Sequence, residues 1–302
     1  MEARSLLPVG HRGVISSLAN LLRSEKVGQA YLFTGKEGIG KYLVARWFAA
    51  GVLCLSQEER PCLNCASCQR VAKAIHVDLK EISPEKGTIS IDTIREAQEW
   101  LSLTPLEGTR KALLIDNAHT MNIPAANAFL KTLEEPPPSA VIVLVTANPM
   151  WLLPTIRSRC QVVWFSPLSP AETREVLKDR VSQEEIARFE RVFQGSPGRL
   201  LEMLSSPNRE ELERAAQLIL EGKGTWGEVV GRNLKGKKGW VREKEEVSRF
   251  LLLLHGAVRE RMLGGDQSER IVSLYERLTL LEEEIFVYNI NPQLIVESLV
   301  GV

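Results

Sequence analysis

Apolar residues at Val14, Ile15, Leu18, Leu21 and Leu22 recur with the period of one helical face, so the first element predicted is an amphipathic helix over 14–22. The pattern then changes. "AYLFT" at 30–34 is a short unbroken apolar run of the kind that forms a buried strand, and "LKEI", "KALLID", "AVIVLVT" and "QVVWF" repeat the signal further on. Between these runs lie segments with helical spacing: "KYLVARWFAAGVLCL", "IDTIREAQEWLSL" with Asp92 as its cap, and "NIPAANAFLKTLEE", which three consecutive prolines bring to a stop. Alternation of strand and helix predicts an α/β fold with a mostly parallel sheet and helices on both faces.

Past Phe165 the strand-like runs cease. "SPLSP" reads as a linker, and "AETREVLKDRV", "QEEIARFERVF" and "GRLLEML" form a small helical unit closed near "SSPN". Long amphipathic segments follow, among them "EEVSRFLLLLHGAVRERML" and "SERIVSLYERLTLLEEEIFVY", and these predict a helical bundle. The expected division is therefore 1–167, 168–206 and 207–302. No internal repeat or low-complexity tract interrupts it.

Lys plus Arg and Asp plus Glu each number 38 in 302 residues, so no global positive field draws the chain to DNA or to an acidic membrane. Contact with nucleic acid has to be local or shared with partners. The basic cluster "RNLKGKKGWVREK" at 232–244 has a glycine-rich middle and is read as a solvated interhelical loop. The first residues lack the basic start and apolar stretch of a signal peptide, and the runs "AVIVLV" and "FLLLL" are far shorter than a bilayer span. A soluble cytoplasmic protein without membrane contact is expected.

Three of the five cysteines lie in "PCLNCASC" at C-x-x-C-x-x-C spacing, and Cys54 precedes them by seven spacers. Cys62, Cys65 and Cys68 let a turn wrap round one tetrahedral ion, with Cys54 as fourth thiolate and Cys160 outside the set. A closed site of this kind favours structural Zn²⁺ over an iron–sulfur cluster and leaves no position for catalytic water.

"GKEGIGKY" at 35–42 has the glycines and lysine of a phosphate loop: Gly35, Gly38 and Gly40 allow amides to turn inward, and Lys41 adds a point charge. Position 42 needs a short hydroxyl to ligate Mg²⁺, and here it is tyrosine. The second motif is the strand "KALLID", whose Asp116 would hold a metal through water. It is followed by Asn117, an amide that accepts no proton from attacking water. Both lesions argue against ATP hydrolysis. Vestigial nucleotide binding and a glycine turn that never sees nucleotide remain open. In "PTIRSRCQVVWF", Arg157 and Arg159 end a short helix before a strand, either as plain surface residues or with one as an arginine finger on another subunit's nucleotide.

Taken in order, "QAYLFTG", the four-cysteine insert, "NAFLKTLEEPP", "VIVLVTANP" and "IRSRC" resemble the subunits of the bacterial DNA polymerase III clamp loader, over about residues 8–200. The resemblance implies an AAA+ module followed by a small helical lid and a C-terminal collar. Two related subunits share this framework, the ATP-hydrolysing gamma/tau subunit and the delta-prime subunit with a decayed site. Tyr42, Asn117 and a chain end at 302 without tau's tail side with delta-prime. On that resemblance the chain is a non-hydrolysing stator, Arg159 is a finger acting in trans, and Arg199 in "GSPGR" matches the second sensor. The partners implied are gamma/tau and delta subunits and, through the assembly, the sliding clamp and primer-template DNA. The competing readings are an active gamma/tau-type ATPase and a stand-alone zinc-containing DNA-binding protein.

Overall fold

A computed structural model of the chain describes residues 6–56, 58–189, 193–206, 209–221 and 240–287. The basic cluster at 232–244 lies outside the described residues except for the backbone of its last five positions, which is helical. The chain divides into two compact units between Glu175 and Val176.

In the first unit, five strands, β1 (Ala30–Gly35), β2 (Leu79–Ile82), β3 (Lys111–Ile115), β4 (Ala140–Thr146) and β5 (Gln161–Phe165), form one sheet of order β2-β3-β4-β1-β5. All four pairings are parallel. The apolar runs become strands because both faces of the sheet are covered. Alternate residues Ala112, Leu114, Val141, Val143 and Val145 join Leu18, Leu22, Phe33 and Phe48 in one core, beneath α1 (Arg12–Arg23) and α2 (Lys41–Val52). Leu113, Ile115, Ile142 and Leu144 face the other way and pack with Ile94, Leu101 and Phe129 of α4 (Ile91–Ser102) and α5 (Ile123–Glu134). Two short helices, α3 (Ala66–Ala72) and α6 (Pro154–Arg157), complete the unit before α7 (Pro170–Leu177).

Local chemistry corrects two expectations. Ser90, not Asp92, caps α4: its Oγ accepts the Thr93 amide at 3.2 Å, and Asp92 lies in the first turn, where a negative charge suits the helix dipole. Helix α2 stops at Val52, so Cys54 follows the helix instead of ending it. The strand β5 is an edge strand, and Val162 (44 % exposed) and Trp164 (69 %) stand open despite the apolar sequence.

The second unit is helical among its described residues: α8 (Gln183–Phe189), α9 (Pro197–Leu204), α10 (Arg209–Leu220), α11 (Trp240–Leu263) and α12 (Glu269–Val287). Their apolar faces meet in one core that includes Phe189, Leu200, Ile219, Phe250, Leu254 and Leu278. No described helix is long and apolar enough to cross a membrane.

Candidate functional site

Strand β1 delivers the chain into the turn 35–40. Gly35, Gly38 and Gly40 have φ of 151°, 73° and 98°, and Gly40 caps α2 in the left-handed region. A Cβ on Gly35 would stand 2.3 Å from the Phe165 carbonyl oxygen, so the close approach of β5 as well as the dihedral demands glycine. His11, in front of α1, pairs its Nε2 with the Ile39 carbonyl at 2.8 Å and sets its ring edge-on to Phe165.

Lys41 is turned back on the loop that presents it. Its Nζ donates to the carbonyls of Gly35 (2.7 Å) and Lys36 (2.6 Å), and the residue is 6 % exposed. Burial pulls its pKa down to about 8, against the opposing pull of the Glu37 and Asp116 carboxylates. Asp116 follows β3 and is thus brought to the loop by the sheet. Burial pushes its carboxyl up, while the Asn117 amide and Lys41 oppose that shift. Asn117 itself is left-handed (φ 48°) and donates from Nδ2 to Asp116 Oδ2 at 3.3 Å.

Tyr42 points elsewhere. Its hydroxyl donates to Glu81 Oε1 on β2 at 2.9 Å, and Arg46, one turn further along α2, pairs its Nε with the same oxygen at 2.8 Å. Burial and then the Glu81 charge push the phenol well above its ordinary range, so it stays protonated and donating. Positions 42 and 46 share a helix face, which is the one sequence signal for this pair. Nothing local marks Glu81, 39 residues away.

The four cysteines come together as their spacing predicts. All Sγ atoms lie within 4.8 Å of one another, with Cys54 and Cys65 at 3.9 Å. Thiolates about 2.3 Å from a tetrahedral Zn²⁺ stand about 3.8 Å apart, close to the separation of the Cys54–Cys65 pair. Backbone amides point at the sulfurs: Cys62 N to Cys54, Cys65 N to Cys62 and Cys68 N to Cys65, each at 3.4 Å. Burial opposes a Cys65 thiolate, yet the amides of Cys68 and Leu55 bring its pKa down to about 7. Burial pushes the Cys54 and Cys68 thiols up. Sulfurs so placed could bind a metal such as zinc. Cys160 stands apart, with burial raising its thiol to about 12.

The cysteine module is bolted to the sheet by residues that sequence reasoning missed. Ser67 Oγ donates to the Leu53 carbonyl at 2.6 Å and meets His76 Nε2 at 2.9 Å. The fully buried Asp78 accepts the Leu106 and Glu107 amides at 2.9 and 2.8 Å, and Glu107 in turn pairs with Arg70 of α3.

Arg159 precedes β5. Its guanidinium pairs with Glu134 at the end of α5 and donates to the Thr155 carbonyl at 2.8 Å. Arg157 Nη1 contacts Met150 Sδ at 2.9 Å. Register places Gln161 beside Tyr31 and Phe165 beside Gly35. Four strand residues, about 13 Å, therefore separate the start of β5 from the loop, and Arg159 stands two residues beyond that. It is at the opposite end of the sheet from Lys41. Arg199, on α9, is a buried residue of the second unit.

A family described as "DNA polymerase III, delta subunit" matches residues 10–169. The delta' subunit of Bacillus subtilis is 35 % identical over 208 residues, 68 % of this chain and 62 % of that protein. The tau subunit of Escherichia coli is 34 % identical over 217 residues, 72 % of this chain and 33 % of its own length. The chain thus spans less than two thirds of either relative. Among solved structures, a gamma subunit-related protein of Thermotoga maritima superimposes with a TM-score of 0.51 at 20 % identity, covering 95 % of this chain and 97 % of that one, a likeness of fold alone. With an AAA+-like parallel sheet, a phosphate-loop turn and these matches, the chain belongs to the family of DNA polymerase III clamp-loader subunits that includes delta' and gamma/tau.

Proposed function

We propose that this chain is the delta'-type, non-hydrolysing scaffold of a DNA polymerase III clamp loader, a cytoplasmic assembly that places a sliding clamp on primer-template DNA. The observation that carries this reading is the direction of Tyr42: its hydroxyl is committed to Glu81, so the residue after Lys41 offers Mg²⁺ no ligand. Lys41, held by its own loop, and Asn117, an amide beside Asp116, support the same reading. Gly35, Gly38, Gly40, Lys41 and Asp116 then survive as scaffold, and Arg199 as packing. Arg159 serves as an arginine finger in trans, since the sheet holds it away from its own loop. Cys54, Cys62, Cys65 and Cys68 hold a structural Zn²⁺. Residues 168–206 act as the lid, and 207–302 as the collar that joins gamma/tau and delta subunits.

The second reading, a gamma/tau-type ATPase, is favoured by one fact: tau subunits match nearly as well as delta'. Steady-state ATP turnover by the purified chain separates the two. The scaffold shows none above the Lys41→Ala control. Turnover near about 1 s⁻¹, the low end of ordinary enzyme rates, that disappears in that control overturns the proposal.

A further inference from the structure

The phenol at position 42 does more than displace a metal ligand. From Tyr42 Oη to Glu81 Oε1 is 2.9 Å, and from the same oxygen to Arg46 Nε is 2.8 Å. Arg46 then donates from Nη2 to the Val71 carbonyl at 2.8 Å and, more weakly, to Ala72 at 3.4 Å. Those carbonyls are the C-terminal end of α3, where a cation suits the last acceptors and the helix dipole. The other end of α3 belongs to the cysteines: Cys65 is its N-cap and Cys68 lies in its first turn, fully buried. Two hydrogen bonds joined by the Arg46–Glu81 ion pair therefore link the residue that follows the phosphate-loop lysine to the helix that carries two of the four sulfurs. Arg46 and Glu81 are each about a fifth exposed, so water competes poorly for their bonds.

We propose that Tyr42 is a positioning residue that couples the phosphate loop to the cysteine cluster, so that a metal on the cysteines stiffens the start of α2. Serine or threonine at this position would be too short to reach β2, and the relay would lose its first member. The substitution that removes a Mg²⁺ ligand thus supplies the fastening. Coupling of this kind is reciprocal: whatever the metal does for the loop, Tyr42 does for the metal. The inference rests on the reading that Cys54, Cys62, Cys65 and Cys68 bind a metal.

The test compares the full chain, Tyr42→Phe and Glu81→Gln, each loaded with Zn²⁺ and challenged with a chelating dye. Release should be about three- to tenfold faster in both variants, within the range that coupled neighbours produce. Tyr31→Phe is the control: it removes another buried hydroxyl from the same unit, one that accepts the Gly28 amide and has no link to α3, and it should release at the parent rate. In the reverse direction, chelation should raise amide hydrogen exchange over 41–46 in the parent and leave exchange in Tyr42→Phe, already raised, unchanged. Equal release from parent and Tyr42→Phe overturns the coupling, as does equal acceleration by Tyr31→Phe. Failure of the parent to take up Zn²⁺ overturns the cysteine reading and the coupling together.

Discussion

Replacing Arg159 with alanine sets a small structural effect against a large chemical one. The side chain makes two contacts in its own chain, the ion pair with Glu134 and the bond to the Thr155 carbonyl. The pair is about a third exposed on the arginine side and half on the glutamate side, and surface pairs of that sort contribute at most about 1 kcal/mol. A net hydrogen bond adds about 1 kcal/mol. The melting temperature should therefore fall by only about 2 to 8 °C, at roughly 2–4 °C per kcal/mol for a unit of this size. A finger's guanidinium neutralises charge on the transferred phosphoryl group and accounts for about three to five orders of magnitude in rate, or about 4 to 7 kcal/mol. The assay is ATP turnover at a single site in the reconstituted loader, since the other sites keep their own fingers and blur the total. Arg159→Ala should slow the site that faces it while zinc content and assembly stay at parent levels. Arg159→Lys should fare little better, because an ammonium lacks the planar fork. An unaltered rate at that site refutes the finger, and a loss of assembly refutes the claim that the contacts within the chain are minor.

Asp78→Ala strips the acceptor from the Leu106 and Glu107 amides and should lower the stability of the first unit by about 2–3 kcal/mol in urea unfolding, with Asp78→Asn losing roughly half as much. An alanine variant as stable as the parent would show that water replaces the carboxylate. In the second unit His255 is 5 % exposed, lies edge-on to Tyr275 at 4.8 Å, and has no hydrogen-bond partner for either ring nitrogen among the described residues. Burial, aided by the Arg259 charge, holds its pKa down at about 4, so the folded unit keeps the ring neutral. Its contribution is intact above the ordinary histidine value of about 6.5 and drains as pH falls toward 4, by up to roughly 3 kcal/mol. Thermal unfolding between pH 7 and 4 should show that slope in the parent and a flatter one in His255→Phe. Identical slopes would remove His255 from the account.

Features written in neighbouring residues were legible in the sequence. The strand β4 is a run of six apolar residues and a threonine, all buried, and the two C-x-x-C steps set three sulfurs a turn apart, with Cys54 joining them from just after α2. Both amphipathic segments near the end of the described chain are helices, as their periodicity requires. Distant pairings were not legible. Tyr42 read only as a missing hydroxyl, because Glu81 lies on another strand and carries no local signature. Glu134 looked like the tail of a helix before prolines, and only folding sets it against Arg159. Asp92 suits a cap in the sequence because acidic residues favour both the cap and the first turn, and spacing of one or two residues decides between them. The openness of Trp164 depends on strand order, which composition does not encode.

The parallel sheet has a loop at one end and an arginine at the other, and that gives the first unit a polarity. If Arg159 is a finger in trans, contacts between such bodies are heterologous: the arginine-bearing end of one meets the loop-bearing end of the next, and every interface has a giver and a receiver. Under the proposed function this chain can give and has nothing to receive with. Placed between two active subunits it would break the succession, because the neighbour's finger would meet a lysine already satisfied by its own loop. Its only useful seat is the first in the row, where a single outgoing contact is required. A row in which one member has such a seat cannot be made of equivalent positions.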